Sequence, residues 1–441
     1  MIGVIAKREI LEYLKSAKFL IGLGITLAIT IISTAINIQD FKQRQQDFMA
    51  ARKEMKGTVF NVMLYRPPQV LSILVQGKDR ILGNQIEMTY LDIPIRPSGY
   101  MGERYSQPQR SASGFGAVDF AFLVRVVLSL MVIFLAYNAV SEEKSLGTLK
   151  LVLANSVPRH QILLGKFLAG LTIVLGSLLT AAVLSVLIMV FQSFLALMAS
   201  DWLRILSLVA ASALYLITFY TLSLFISVAV NRPSIALMIL LQLWIFLVVI
   251  YPHLGVDAAE NFFRLPSDRE LSQKQRAAFQ PYQEEFKKVT EAYFKGDESK
   301  QTGHRYLELE ALKSQKDYDV EEEFDRQLTR QRKLAQNLSI LSPAVLYDQM
   351  AARYARTGID EYERFMENVV RFWQTPYMEL QKLRFENLEA YRKAQVPAFS
   401  SPAESTGDAL ISTLPQCVIL FLLISIFFAL AYTTFLRKDV R

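Results

Sequence analysis

The sequence predicts an α-helical polytopic membrane protein: six transmembrane helices, an interfacial amphipathic helix at the N-terminus and a mainly helical extracytoplasmic domain. Three observations predict it. The 441 residues are 52% hydrophobic with a mean hydropathy of +0.24, at the upper edge for an ordinary soluble chain. These apolar residues gather in six blocks, each long enough for a hydrocarbon core that takes roughly 20 helical residues. Short segments between alternate blocks are rich in Lys and Arg, as cytoplasmic loops are.

Residues 1–18 place Ile2, Ile5, Ile10, Tyr13 and Leu14 on one helical side and Lys7, Arg8, Glu9, Glu12 and Lys15 on the other, the pattern of a helix lying in the interface. Simple flanking charge before a span is the plainer alternative. Residues 19–38 form the first span, retained because no small-residue cleavage pattern follows it. Residues 39–117 form a first extracytoplasmic segment. It starts helix-like, but Pro67, Pro68, Pro94, Pro97 and Pro108 exclude one long helix, and short strands are expected near 58–64 and 86–95. The second span is 118–140, a polar loop follows at 141–166, and spans three to five are 167–191, 205–230 and 234–251.

Residues 252–408 form a larger extracytoplasmic segment of helical pattern, with helices expected over 273–294 and 306–338. Ser342 followed by Pro343 reads as an N-cap and first helical position, and further helices are expected at 359–373 and 379–394. The sixth span, 409–436, carries Pro415, a candidate kink. The tail is 437–441. The lone cysteine, Cys417, lies in this last span and reads as inert packing; it permits no disulfide within the chain.

Orientation follows from charge. The net charge is +7, and much of the excess lies in segments placed inside: Lys7, Arg8, Lys15 and Lys18 before the first span, Lys144, Lys150, Arg159 and Lys166 in the polar loop, Arg232, and Arg437, Lys438 and Arg441 in the tail. Both termini are therefore expected in the cytoplasm, and no nucleic-acid partner is needed to explain the basic balance.

The loop EEKSLGTLKLVLANSVPRHQILLGK, residues 142–166, carries the most information. Leu146, Leu149, Val152 and Leu153 share one face of a short helix. A loop this short has no core of its own, so that face needs a partner: a protein groove, or the inner ends of the spans. Glu142 and Glu143 precede the helix, where carboxylates complement its dipole. Gly147 and Thr148 follow Leu146, and Pro158 disfavours helix in the residue before it. Arg159 and Lys166 also read as ordinary inner-leaflet charges.

The loop resembles the cytoplasmic coupling loop of ABC-2-type transporter permeases, and the arrangement of one N-terminal elbow helix, six spans and two insertions after spans one and five resembles that family over nearly the whole chain. Two outer stretches are similar to a subfamily with an enlarged extracytoplasmic domain of unknown function: Tyr65-Arg66-Pro67-Pro68 with Leu71-Ser72-Ile73-Leu74 and Gly77, and Leu341-Ser342-Pro343-Ala344 with the helix at 362–373. The resemblance implies a permease subunit of an ABC transporter in a bacterial cytoplasmic membrane. Its expected partners are a separate ABC ATPase subunit, which holds the ATP and Mg, a second permease (identical or sibling), membrane lipids, and a periplasmic or outer-membrane protein. No cofactor is expected on this chain. The implied direction is export or membrane extraction, of a lipid, polysaccharide, peptide, hydrophobic toxin or protein. A membrane scaffold that transmits force without flux fits the same loop.

Enzymatic alternatives lack their residues. Gly165-Lys166 is followed by Phe167 rather than Ser or Thr, and His160 stands where a P-loop needs Gly. His160, His253 and His304 have no metal-ligand spacing. Within the spans, Arg125, Tyr215 and Thr218 are the candidate intramembrane polar site; snorkelling of Arg125 and interhelical hydrogen bonding by the hydroxyls are the plainer readings.

Overall fold

The structure, a computed structural model, describes residues 2–54, 61–79, 85–89, 118–148, 158–295, 300–380, 383 and 387–437. Helix α1 (Ile2–Lys15) meets α2 (Ala17–Glu54) at Ser16. The Ser16 hydroxyl donates to Tyr13 O at 2.8 Å and accepts from Phe19 N at 3.3 Å, ending one helix and capping the next. A two-stranded antiparallel hairpin, β1 (Asn61–Tyr65) and β2 (Gln85–Thr89), pairs Leu64 with Ile86.

Then come α3 (Phe120–Ser145), α4 (Arg159–Val190), α5 (Ala199–Ala229) and α6 (Pro233–Phe262). Next are α7 (Asp268–Phe279), α8 (Gln283–Phe294), α9 (Lys300–Leu338), α10 (Pro343–Tyr354), α11 (Ile359–Phe372), α12 (Leu388–Lys393) and α13 (Thr406–Arg437). Six of these, α2 to α6 and α13, contain stretches long and apolar enough to cross a bilayer. Helix α13 runs through Pro415.

Helix α5 is the hub of the span bundle, packing on α13, α10, α3 and α4. It buries Leu208, Tyr215, Leu216, Phe219 and Tyr220. Helices α2 and α13 form the rim, and their apolar side chains Ile21, Ile25, Ile32, Val418 and Phe421 stay exposed as a lipid-facing surface requires.

The elements differ from the expected pattern in several places. The run 273–294 is two helices, because Pro281 sits in a 3₁₀ turn at Gln280–Tyr282. The run 379–394 is interrupted at Asn387, whose extended backbone and side chain cap α12, with Ala390 N donating at 3.0 Å. The strands lie at 61–65 and 85–89; the parts of the expected strands at 58–60 and 90–95 fall outside the described residues.

The largest departure is α10. Its sequence pattern put it among the helices of 252–408, yet its buried face belongs to the core of the spans: Leu346, Tyr347, Met350, Ala351 and Tyr354 pack with α5, α13 and the α6 wide turn. Ser342 caps it, accepting from Val345 N at 3.3 Å while its hydroxyl donates to Leu247 O of α6 at 2.6 Å. Arg204 of α5, fully buried, donates to the terminal α10 carbonyls of Arg353 and Tyr354 at 3.3 Å each and to Glu404 O at 2.6 Å. A cation on the last carbonyls of a helix complements its dipole. Above this wedge, the apolar face of α11 (Tyr362, Phe365, Met366, Val369) packs on Val62, Leu64 and Ile86 of the hairpin.

In α9, burial raises the Glu321 carboxyl to about 7, against the bond donated by Gln275 Nε2 at 2.9 Å, and nearby Asp317 adds to the rise. A folded-state pKa above the unfolded one means that ionisation opposes folding. The penalty is absent below the ordinary carboxylate range, grows as pH rises, and is complete above about 7. Glu321→Gln is therefore expected to raise the melting temperature at pH 8 and leave it nearly unchanged at pH 4.5, checked by thermal melts at the two pH values.

Candidate functional site: the elbow–loop junction

The polar loop and the N-terminal helix meet at one buried charge. Lys166, in the first turns of α4 and 4% exposed, donates to Glu9 Oε1 of α1 at 2.7 Å and to Glu143 Oε1 at the loop end of α3 at 2.9 Å. The first turns of α4 can accept α1 because residue 165 has no side chain: a Cβ there would stand 2.7 Å from Ile5 Cγ2. Gly170, one turn on, admits the Tyr220 ring in the same way, and the Tyr220 hydroxyl donates to Lys166 O at 2.8 Å. Tyr13 lies half-buried beside the cluster. Burial raises its phenol above the ordinary range, with Glu9, Glu12 and Glu143 adding to the rise.

The loop end of α3 is held from the other side by α5. Ser227 Oγ accepts from Val140 N at 3.0 Å and Ser141 N at 3.1 Å, and Lys144 Nζ donates to Val228 O. Lys18 Nζ donates to Tyr137 Oη at 2.7 Å. A cavity of about 550 Å³ opens between α1 and this end of α3, bordered by Glu12, Lys18, Asn138, Glu142 and Leu146. The second carboxylate oxygen of Glu143, Oε2, is buried with no hydrogen-bond partner among the described residues.

The expected coupling residues divide into three groups. Glu143 and Lys166 are brought into direct contact. Glu142, on the short helical turn Ser141–Ser145, accepts from Asn138 Nδ2. Leu146 ends that turn with its side chain 70% exposed, Gly147 follows with φ +73°, and Thr148 Oγ1 donates to Glu143 O at 3.3 Å. The left-handed backbone at 147 is one that glycine adopts without penalty. Pro158 precedes α4, and Arg159 NH1 donates to Leu436 O near the end of α13 at 3.0 Å. Leu149, Val152 and Leu153 lie outside the described residues. Glu9, Gly165, Tyr220 and Ser227 complete the junction, a role that nothing in the sequence announces for any of them. Glu9 is only one polar residue of an amphipathic face there, and nothing local links it to a lysine at the third span.

Of the three candidate intramembrane residues, the structure brings Arg125 and Tyr215 together and leaves Thr218 apart. Arg125 lies in a π-helical stretch, Leu123–Leu128, and pairs with Asp348 of α10. Tyr215 stacks on Tyr347 of α10, ring centroids 4.9 Å apart, and donates to Arg125 O at 2.9 Å. Thr218 instead bonds within its own helix, to Leu214 O at 2.8 Å. Arg125 and Tyr215 thus hold the α10 wedge, and Thr218 takes no part. Burial pushes the Asp348 carboxyl up to about 6, against the pull of Arg125. Among the described residues no group of His, Cys, Asp and Glu is placed to hold a metal ion.

A family model described as ABC-2 family transporter protein matches residues 4–440. The chain belongs to this family and is a transmembrane permease subunit of an ABC transporter. No curated protein matches it.

Removing one partner from a buried ion cluster strands the others. Lys166→Met is expected to destabilise the protein by about 3 kcal/mol or more, and adding Glu9→Gln and Glu143→Gln to recover most of that loss; denaturant unfolding in detergent measures both. Gly165→Ala is expected to loosen α1 and Ile5→Ala to restore it, read as protease sensitivity at the α1–α2 corner.

Proposed function

We propose that this ABC-2 family permease couples ATP hydrolysis by a separate ATPase subunit to export or membrane extraction of its substrate, through the loop rooted at Glu143. The observation that carries this reading is the Lys166 cluster. It makes the elbow helix, the loop root and the third span one body, so a push on the loop moves a span rather than a tether. ATP and Mg sit on the ATPase, which docks on the apolar stripe beginning at exposed Leu146. A second permease, identical or sibling, completes the pathway.

ATP binding shifts the spans only as far as the ATPase dimer binds their two states differently. The asymmetry of Lys and Arg supports placing both termini inside, and the family resemblance implies a bacterial cytoplasmic membrane. One observation favours a second reading, a force-transmitting scaffold without flux: α10 wedges the distal domain directly into the span bundle, so span motion reaches that domain without a moving substrate.

The test is co-reconstitution with the cognate ATPase in proteoliposomes. Substrate-stimulated ATPase with measurable flux supports transport, and ATPase-driven change in the distal domain without flux supports the scaffold. Leu149→Asp is expected to abolish the link between ATP turnover and either output, cutting coupled output at least roughly tenfold, because a buried carboxylate at a docking face costs more than about 1.4 kcal/mol. Wild-type coupling in that variant would refute docking through the loop.

A further inference from the structure

A second cavity, of about 530 Å³, lies at the opposite end of the bundle from the elbow helix. Its floor is Ala121, Phe122 and Arg125 at the start of α3, one wall is Gly77 and Lys78, and α10 closes it with Asp348 and Gln349. The size is that of a small-ligand site. Arg125 is five residues past Phe120, about 8 Å along the helix. That is close to the depth of the headgroup layer, roughly 5–8 Å on each face of a bilayer.

Most of the charged side chains inside have partners among the described residues, and Asp119 is held by backbone donors alone. Asp119 accepts from Phe122 N at 2.7 Å and Gln76 N at 2.8 Å. Asp360 takes Arg353, Arg332 takes Glu363, and Asp348 takes Arg125. What remains is a set of donors. Lys78 is exposed and makes no direct ion pair among the described residues, although its charge is felt by Asp348 across the cavity. Among the described residues, Arg125 uses only NH1 on Asp348, and Gln349 accepts from Gln416 at 3.3 Å without using its amide N–H groups.

Lys78 is also held in place. Gly77 has φ +51°, and a Cβ on it would stand 2.5 Å from Thr357 O. Lys78 N donates to that same carbonyl at 2.9 Å. The next residue, Asp79, is clamped by Arg44 at 2.8 Å and by Arg66. A lysine whose backbone is anchored on both sides, lining one cavity with an amide and a guanidinium, fits a singly charged, acceptor-rich anion.

We propose that this cavity binds a phosphodiester anion of the glycerophospholipid headgroup type, held by Lys78, Arg125 and Gln349. The site stands apart from the coupling loop and does not depend on ATP-driven transport.

The test uses the delipidated full-length chain in detergent, titrated with dioctanoyl phosphatidylglycerol and separately with its water-soluble headgroup, glycerophosphoglycerol, and followed by native mass spectrometry. One saturable equivalent of the lipid is expected, weakened roughly tenfold or more by Lys78→Gln, retained in Lys78→Arg and unaffected by Lys7→Gln on the elbow helix. Thermal melts confirm that the variants fold. Binding of the lipid alone identifies a membrane lipid as the source of the anion; equal, Lys78-dependent binding of the headgroup identifies a soluble phosphodiester. No saturable binding of either, or binding that Lys78→Gln leaves unchanged, overturns the proposal.

Discussion

A lysine ammonium removed from water at the mouth of a membrane span must have carboxylates around it, and that requirement organises the elbow-helix end of this permease. Lys166 is answered from two directions, by Glu9 on the elbow helix and Glu143 at the root of the loop. Neither carboxylate can leave without stranding a buried charge. The small residues at 165 and 170 exist in the same service: they let the elbow helix and Tyr220 approach the backbone closely enough for the cluster to close. An ion cluster of this kind is weak evidence for stability and better evidence for registration, since replacing all its members with apolar groups often costs little. Its role here is to fix which surface of the elbow faces the loop.

One helix carries that registration to the far end. Along α5, Ser227 holds the root of the loop, Tyr220 touches Lys166, Tyr215 touches Arg125 and stacks on Tyr347, and Arg204 caps α10. The inner junction and the distal wedge thus hang on a single rigid element, and the distal domain is attached by buried contacts rather than by flexible linkers. In such an arrangement, tilting α5 displaces both ends together.

The parts legible in the sequence were those set by local pattern. Six apolar runs, the amphipathic face of residues 2–15 and the Ser342-Pro343 helix start each depend on residues within one or two turns of each other. The loop's apolar stripe was readable as a face in need of a partner, though not where it lies. What escaped depends on distant pairings. Lys166 looked like an interfacial cation because nothing near it announces Glu9, 157 positions away. Arg125 looked like a snorkelling residue because its partner sits on α10, 223 positions away. Helix α10 looked like its neighbours because an apolar face reads the same whether it meets another distal helix or the core of the spans. Thr218 and Tyr215 looked alike as hydroxyls in one span, yet one satisfies its own helix and the other crosses to a neighbour.

The central claim is that the ATPase meets this chain at the loop rooted in the Lys166 cluster. A photo-crosslinking amino acid placed at Leu146, and in a second variant at Phe294 in the distal domain, tests that contact in native membranes. Both side chains are exposed, 70% and 73% respectively. The expected result is an adduct between position 146 and a P-loop ATPase, identified by mass spectrometry, and none from position 294. An ATPase captured from position 294 and never from 146 would contradict docking at the loop.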